Sequence, residues 1–126
     1  MARDLSRREQ EILLFLVAVD APGVAELRQQ AEVALVDRNW DNGPSIDILV
    51  DRARAQPSPI RRSPAIEAVS NERDVREKVF ELLLFLEGGW LAAIELVEYG
   101  EARSTEFPPP SAFAPARLYE LPSRRT

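Results

Sequence analysis

The 126-residue sequence contains no cysteine and no histidine. These two absences together exclude disulfides, thiol nucleophiles, imidazole general bases, Cys/His zinc sites and histidine haem ligation. Lysine is almost missing too: of sixteen basic residues, Lys78 alone is not arginine. Long apolar runs are also lacking. The longest, Ile12 to Val19, covers eight residues, whereas a membrane-spanning helix needs about 20. Asp4, Glu9 and Glu11 are mixed with the arginines ahead of that run, and a secretory leader starts with a positively charged segment. A cytoplasmic protein with no membrane partner is therefore expected. No dinucleotide-binding glycine pattern, phosphate-binding loop or nucleophile elbow occurs, and the five glycines fall at turns and strand ends.

What is present is ordinary for a folded domain: 45% hydrophobic and 29% charged residues. The length suits one domain. We expect a single α+β domain over residues 1–106 and a proline-rich tail over 107–126. Twenty-one acidic against sixteen basic residues give a net charge of −5. An acidic chain is repelled by phosphate backbones, so no nucleic-acid partner is expected. The cluster Arg52, Arg54, Arg61 and Arg62 lacks interleaved aromatics and reads as a solvated linker.

Ser6 with Glu9 three residues on is a capping-box pair, and the spacing predicts a helix over 6–18. Asp20-Ala21-Pro22-Gly23 stops it. Val24 and Leu27 predict a second helix from Val24 to about Ala31. The period then drops to two. Val33 and Leu35, then Ile46, Ile48 and Val50, alternate on either side of the Asn42-Gly43 turn signal, which predicts a β-hairpin. Residues 52–64, with Pro57, Pro59 and Pro64, read as an exposed connector, and 65–69 as a short third strand.

Gly88-Gly89 lies between the apolar runs 79–87 and 90–99. A helix ended by a glycine C-cap competes here with a hairpin closed by a two-residue turn; the strand-favouring Trp90, Ile94, Val97 and Tyr99 support the hairpin. In a regular ladder Glu87 opposes Trp90, Leu86 opposes Leu91, Leu84 opposes Ala93, Leu83 opposes Ile94 and Leu82 opposes Glu95. Both faces would then be apolar near the turn. Helices cover one of them, so the second must meet a loop, the tail or another subunit, and a homodimer is expected. Phe107, Phe113, Leu118 and Tyr119 are anchors by which the tail could clip across the sheet. Leu13-Leu14-Phe15-Leu16 recurs as Leu83-Leu84-Phe85-Leu86, but only once and with divergent flanks, so it is no repeat.

The fold class read from these elements is α+β: two N-terminal helices packed on a four- to five-stranded antiparallel sheet. The segments Pro22 to Arg28, Gly43 to Ile48, and Leu83 to Leu86 with Gly89 to Glu95 resemble a family of small uncharacterised bacterial proteins. The resemblance implies the same helices-then-sheet order and brings no catalytic signature. Relatives often carry cysteines in the first hairpin loop, where this chain has Trp40, Asp41 and Asn42, so no thiol or metal role carries over.

No cofactor is expected and no catalytic residue is assigned. The acidic hairpin residues Asp37, Asp41, Asp47 and Asp51 could hold a hard cation, but they match no calcium-binding loop, and solvated strand ends explain them equally well. The candidate binding residues are Trp40, Glu81, Trp90 and Glu95. Tryptophans at loop tips often mark binding surfaces, though Trp40 packed over its own hairpin is the plainer reading. A glutamate on an apolar ribbon would hold its proton more tightly and could act as an acid or base; a salt bridge or an edge-protecting charge is the alternative. Two functions follow. The first is a non-enzymatic protein-interaction module, one form of which is an immunity- or antitoxin-like partner of a basic protein. The second is a small-ligand or carboxylate-based enzyme site between helices and sheet, worked by Glu81 or Glu95.

Overall fold

Helix α1 spans Arg7–Leu16. It starts where it does because Ser6 and Glu9 cap it reciprocally: the Glu9 amide donates to Ser6 Oγ at 3.2 Å and the Ser6 amide donates to Glu9 Oε1 at 2.7 Å. Arg3 then clamps the same carboxylate through both terminal nitrogens, at 2.8 and 2.9 Å. Helix α2 spans Val24–Ala31. Its N-cap is Gly23, whose φ of +89° is the left-handed backbone that glycine tolerates. The computed structural model describes residues 2–71, 79–100 and 103–120. Lys78 lies outside them.

Six strands follow: β1 (Ala34–Asn39), β2 (Ile46–Val50), β3 (Ile66–Val69), β4 (Val79–Glu87), β5 (Trp90–Tyr99) and β6 (Arg117–Leu118). They form one sheet in the order β1-β2-β5-β4-β3-β6, and every neighbouring pair is antiparallel. The chain is thus an α+β protein with its helices N-terminal to the strands, as the sequence pattern predicts. A two-residue edge strand from the tail brings the count to six.

The β4–β5 hairpin turns at Gly88-Gly89 with φ of +59° and +87°, the left-handed pair that a type I′ turn requires. The helical alternative for this stretch is overturned. The register departs from the regular ladder, however. Glu87 opposes Trp90 and Leu86 opposes Leu91 as expected, but a bulge follows at Ala92. Beyond it Phe85 opposes Ala93, Leu84 opposes Ile94, Leu83 opposes Glu95 and Leu82 opposes Leu96. The expected pairings of Leu82 with Glu95 and Leu83 with Ile94 are therefore wrong by one residue. The bulge puts two residues of β5 against one of β4, which flips every later side chain to the other face.

The core lies between the helices and one sheet face. Ile12, Leu13 and Leu16 of α1, Val24 and Leu27 of α2, and Ile46, Ile66, Leu82, Leu84 and Ile94 of the sheet are almost wholly removed from solvent. Each such side chain contributes about 1.5–3 kcal/mol by burial. The tail joins this core on the helix side rather than crossing the far face of the sheet. Phe107 and Phe113 are buried, and Phe113 packs edge-on against Phe80 with ring centroids 5.1 Å apart. Leu118 stays exposed.

The connector over 52–64 is not simply solvated. Ala55 and Ser58 are buried. The Ser58 amide donates to the Gly89 carbonyl at 2.8 Å, and its hydroxyl donates to the Gly23 carbonyl at 2.7 Å. Small residues without a period carry no sequence signal of such a role.

Candidate functional site

The face of the sheet opposite the helices is open. Strand alternation places Glu81, Leu83, Phe85 and Glu87 of β4 there, with Ala93, Glu95, Val97 and Tyr99 of β5, Asp47 and Leu49 of β2, and Val69 and Glu67 of β3, the last paired with Arg117 of β6 at 2.9 Å. Leu83, Phe85 and Val97 are half-buried and take no part in the helix-side core. Leu49 and Tyr99 are exposed.

Two of the predicted residues meet at the centre of this face. Glu81 opposes Val97 and Glu95 opposes Leu83, so the two carboxylates are diagonal neighbours across the ladder. Burial first, and the Glu81 charge second, push the Glu95 carboxyl above its ordinary range. Glu81 accepts a hydrogen bond from the Tyr99 hydroxyl at 2.7 Å, which, with slight desolvation and the nearby glutamate charges, raises that phenol as well. Tyr99 escaped sequence reasoning as a site residue because it reads there only as a strand former. Neither glutamate faces the helices, so the expected site between helices and sheet does not contain them.

The two tryptophans lie at the β2 side of the face. Trp40 is half-buried, and its indole nitrogen donates to Asp47 Oδ1 at 2.9 Å. Arg38 holds the other oxygen of Asp47 at 3.0 Å. Trp40 thus folds over its own hairpin, as the plainer of its two readings has it. Trp90 opens β5 and carries the Arg52 guanidinium 4.9 Å above its ring centroid.

Strands β2 and β5 pair only through Ile46–Ile94 and Asp47–Ala93. Beyond Asp47 they part, leaving a cleft of about 390 Å³ lined by Asp37, Asp47, Leu49, Arg52, Glu87 and Trp90 among others. On the helix side of the same divergence, the buried Gln30 of α2 takes up the freed backbone. Its Nε2 donates to the carbonyls of Gln56 and Gly89 at 2.8 and 2.9 Å, and its Oε1 accepts from the Leu91 amide at 2.8 Å. A glutamine beside Arg28 and Gln29 on a short helix carries no sequence signal of burial, yet Gln30 is fully buried.

A second hollow of about 700 Å³ runs between α1 and the β1 edge, past Leu13, Leu14 and Leu35 with Asp4, Glu32 and Asp51. None of the four predicted site residues lines it. Among the described residues no group of three acidic side chains is placed to hold a metal ion, and no helix is long and apolar enough to cross a membrane. No protein-family model, no curated protein and no solved structure matches the chain.

Proposed function

We propose that the chain is a non-enzymatic interaction module that binds a basic protein partner on the open face of its sheet. The observation that carries this reading is the composition of that face: apolar Leu83, Phe85 and Val97 interleaved with Glu81 and Glu95. Apolar side chains supply the burial that drives association, and carboxylates of one sign select a partner of the other. An immunity- or antitoxin-like role, in which an acidic surface masks a basic one, is one form of it.

A second copy of the chain is the competing occupant. A twofold axis through the centre of the face would bring the Glu81 and Glu95 carboxylates of both copies together, and like charges facing each other cost several kcal/mol. Charge complementarity therefore favours the basic partner over the homodimer.

The test is a photo-crosslinking amino acid placed in the cell at Leu83, Val97 or Leu49, with the helix-side Leu14 as control. A discrete adduct with one basic protein from the sheet positions alone, weakened by added salt, is the expected result. Adducts joining two copies of the chain would replace the basic partner by the homodimer. Equal labelling from Leu14, or no adduct at all, would overturn the reading.

A further inference from the structure

The cleft between β2 and β5 has features that the rest of the open face lacks. Its aromatic floor, Trp90, already carries a guanidinium at 4.9 Å, within the roughly 6 Å over which a cation is attracted to a ring face. That guanidinium belongs to Arg52, an exposed residue in the turn after β2 that forms no ion pair among the described residues. A contact of this kind is weak enough to be exchanged for a better one.

A better one is within reach. The cleft is lined by the carboxylates of Asp37, Asp47 and Glu87 against the single cation Arg52. Counting Arg38, which pairs with Asp47 at the rim, three negative charges and two positive leave it one charge negative. Asp47 is engaged by Arg38 and Trp40, whereas neither Asp37 nor Glu87 has an ion-pair partner among the described residues. A planar cation that stacks on an indole and offers several donors to flanking carboxylates is a guanidinium; an ammonium can do the second but stacks poorly.

We infer that this cleft is a guanidinium subsite, in which an arginine side chain of the bound partner displaces Arg52, stacks on Trp90 and pairs with Asp37 and Glu87. Arg52 holds the site in the free protein and competes with the ligand. The inference rests on the open-face reading and names the residue of the partner that the face selects.

The experiment follows the indole ¹H–¹⁵N signal of Trp90 during titration with a capped peptide carrying one arginine between two valines. The same peptide with citrulline or lysine in place of arginine serves for comparison. The arginine peptide moves the signal saturably, the citrulline peptide does not, and the lysine peptide binds more weakly. Arg52→Ala removes the resident competitor and tightens binding about two- to fivefold, the equivalent of one exposed cation–π contact. Arg54→Ala, which removes the same charge nearby, has less effect. Asp37→Asn combined with Glu87→Gln abolishes the saturable shift. No saturable shift in either wild type or Arg52→Ala, an equal response to citrulline, or no tightening by Arg52→Ala overturns the subsite. Leu83→Asp separates the two proposals: it breaks the partner complex if the open face is the interface, yet leaves the peptide titration unchanged. Either can thus fail while the other stands.

Discussion

Replacing Gln30 by leucine keeps the volume of the side chain and removes all three of its hydrogen bonds. The Gly89 carbonyl retains a second donor, the Ser58 amide at 2.8 Å. The Leu91 amide and the Gln56 carbonyl lose the partner that Gln30 supplies. A buried group left unsatisfied costs about 1–3 kcal/mol, and the apolar replacement returns a fraction of that, so Gln30→Leu should lose about 2–4 kcal/mol. With a urea slope of about 2 kcal/mol/M for a small domain, the midpoint falls by about 1–2 M at unchanged slope. Gln30→Glu is the sharper variant. One carboxylate oxygen can still accept from Leu91, but the other faces two carbonyls. Burial and those carbonyls raise its folded pKa above the unfolded value. The native state then binds more protons in that window, and stability falls as pH rises through it. At low pH, where the carboxyl can donate, Gln30→Glu should approach wild type. A Gln30→Leu midpoint within about 0.2 M of wild type, below the shift expected from even one lost bond, would refute this account of how α2 is tied to the Gly-Gly turn.

The remaining predictions concern backbone and charge. A Cβ on Gly89 would collide with the Ser58 carbonyl oxygen, whereas one on Gly88 meets nothing within 4 Å. Gly88→Ala should therefore cost about 1–2 kcal/mol from its left-handed backbone alone, and Gly89→Ala more than about 3; urea midpoints of the two compare them directly. Because the Glu95 pKa is raised, its carboxylate takes away stability as pH climbs from the unfolded value toward the folded one. Glu95→Gln should remove that slope and raise the midpoint at pH 7; an unchanged profile would show that neither burial nor the Glu81 charge acts on this carboxyl. At Glu9 burial opposes ionisation, but hydrogen bonds from Arg3 and Ser6 outweigh it and the pKa is lowered. Its contribution is present above the unfolded pKa and lost as pH falls through the folded one. Glu9→Gln should cost about 1–2 kcal/mol at pH 7 and nothing once both states are protonated.

Where the sequence carries local punctuation, the fold is legible in it. Leu-Leu-Phe-Leu is helical at 13–16 and extended at 83–86. The four residues cannot tell these apart; the Ser6–Glu9 box ahead of one and Gly88-Gly89 behind the other can. Clean alternation likewise identifies β2, and the short apolar stretch 65–69 identifies β3. Illegible were the contacts made at long range. The pairing of β2 with β5, the return of the tail as β6 and the seating of Phe113 on Phe80 join residues with no local pattern in common. Of the candidate site, Glu81, Trp90 and Glu95 stand out in the sequence as charged or bulky residues in an apolar ribbon. Arg52 and Gln30 were passed over because an arginine in a linker and a glutamine on a short helix look solvated until the strands beside them diverge.

The bulge at Ala92 joins the fold to the proposed function. In an unbroken ladder Glu95 would face Leu82 on the helix side, and a carboxylate buried there without a partner would cost several kcal/mol. Ala92-Ala93 is the stretch of β5 where side chains are smallest, so an extra residue displaces little packing. With it inserted, Ile94 and Leu96 face Leu84 and Leu82 in the core, while Glu98, opposite Phe80 far from the turn, accepts from the Ser104 amide at 3.0 Å. The same shift carries Glu95 to the open face beside Glu81, and it spaces β5 so that Trp90, ahead of the bulge, stays on that face too. One added residue thus keeps Glu95 out of the centre of the core and, by the same parity, charges the surface opposite. The acidic, partly apolar face follows from the packing requirement of the other one, and the cleft at its end follows from β2 holding only two pairs with the bulged strand.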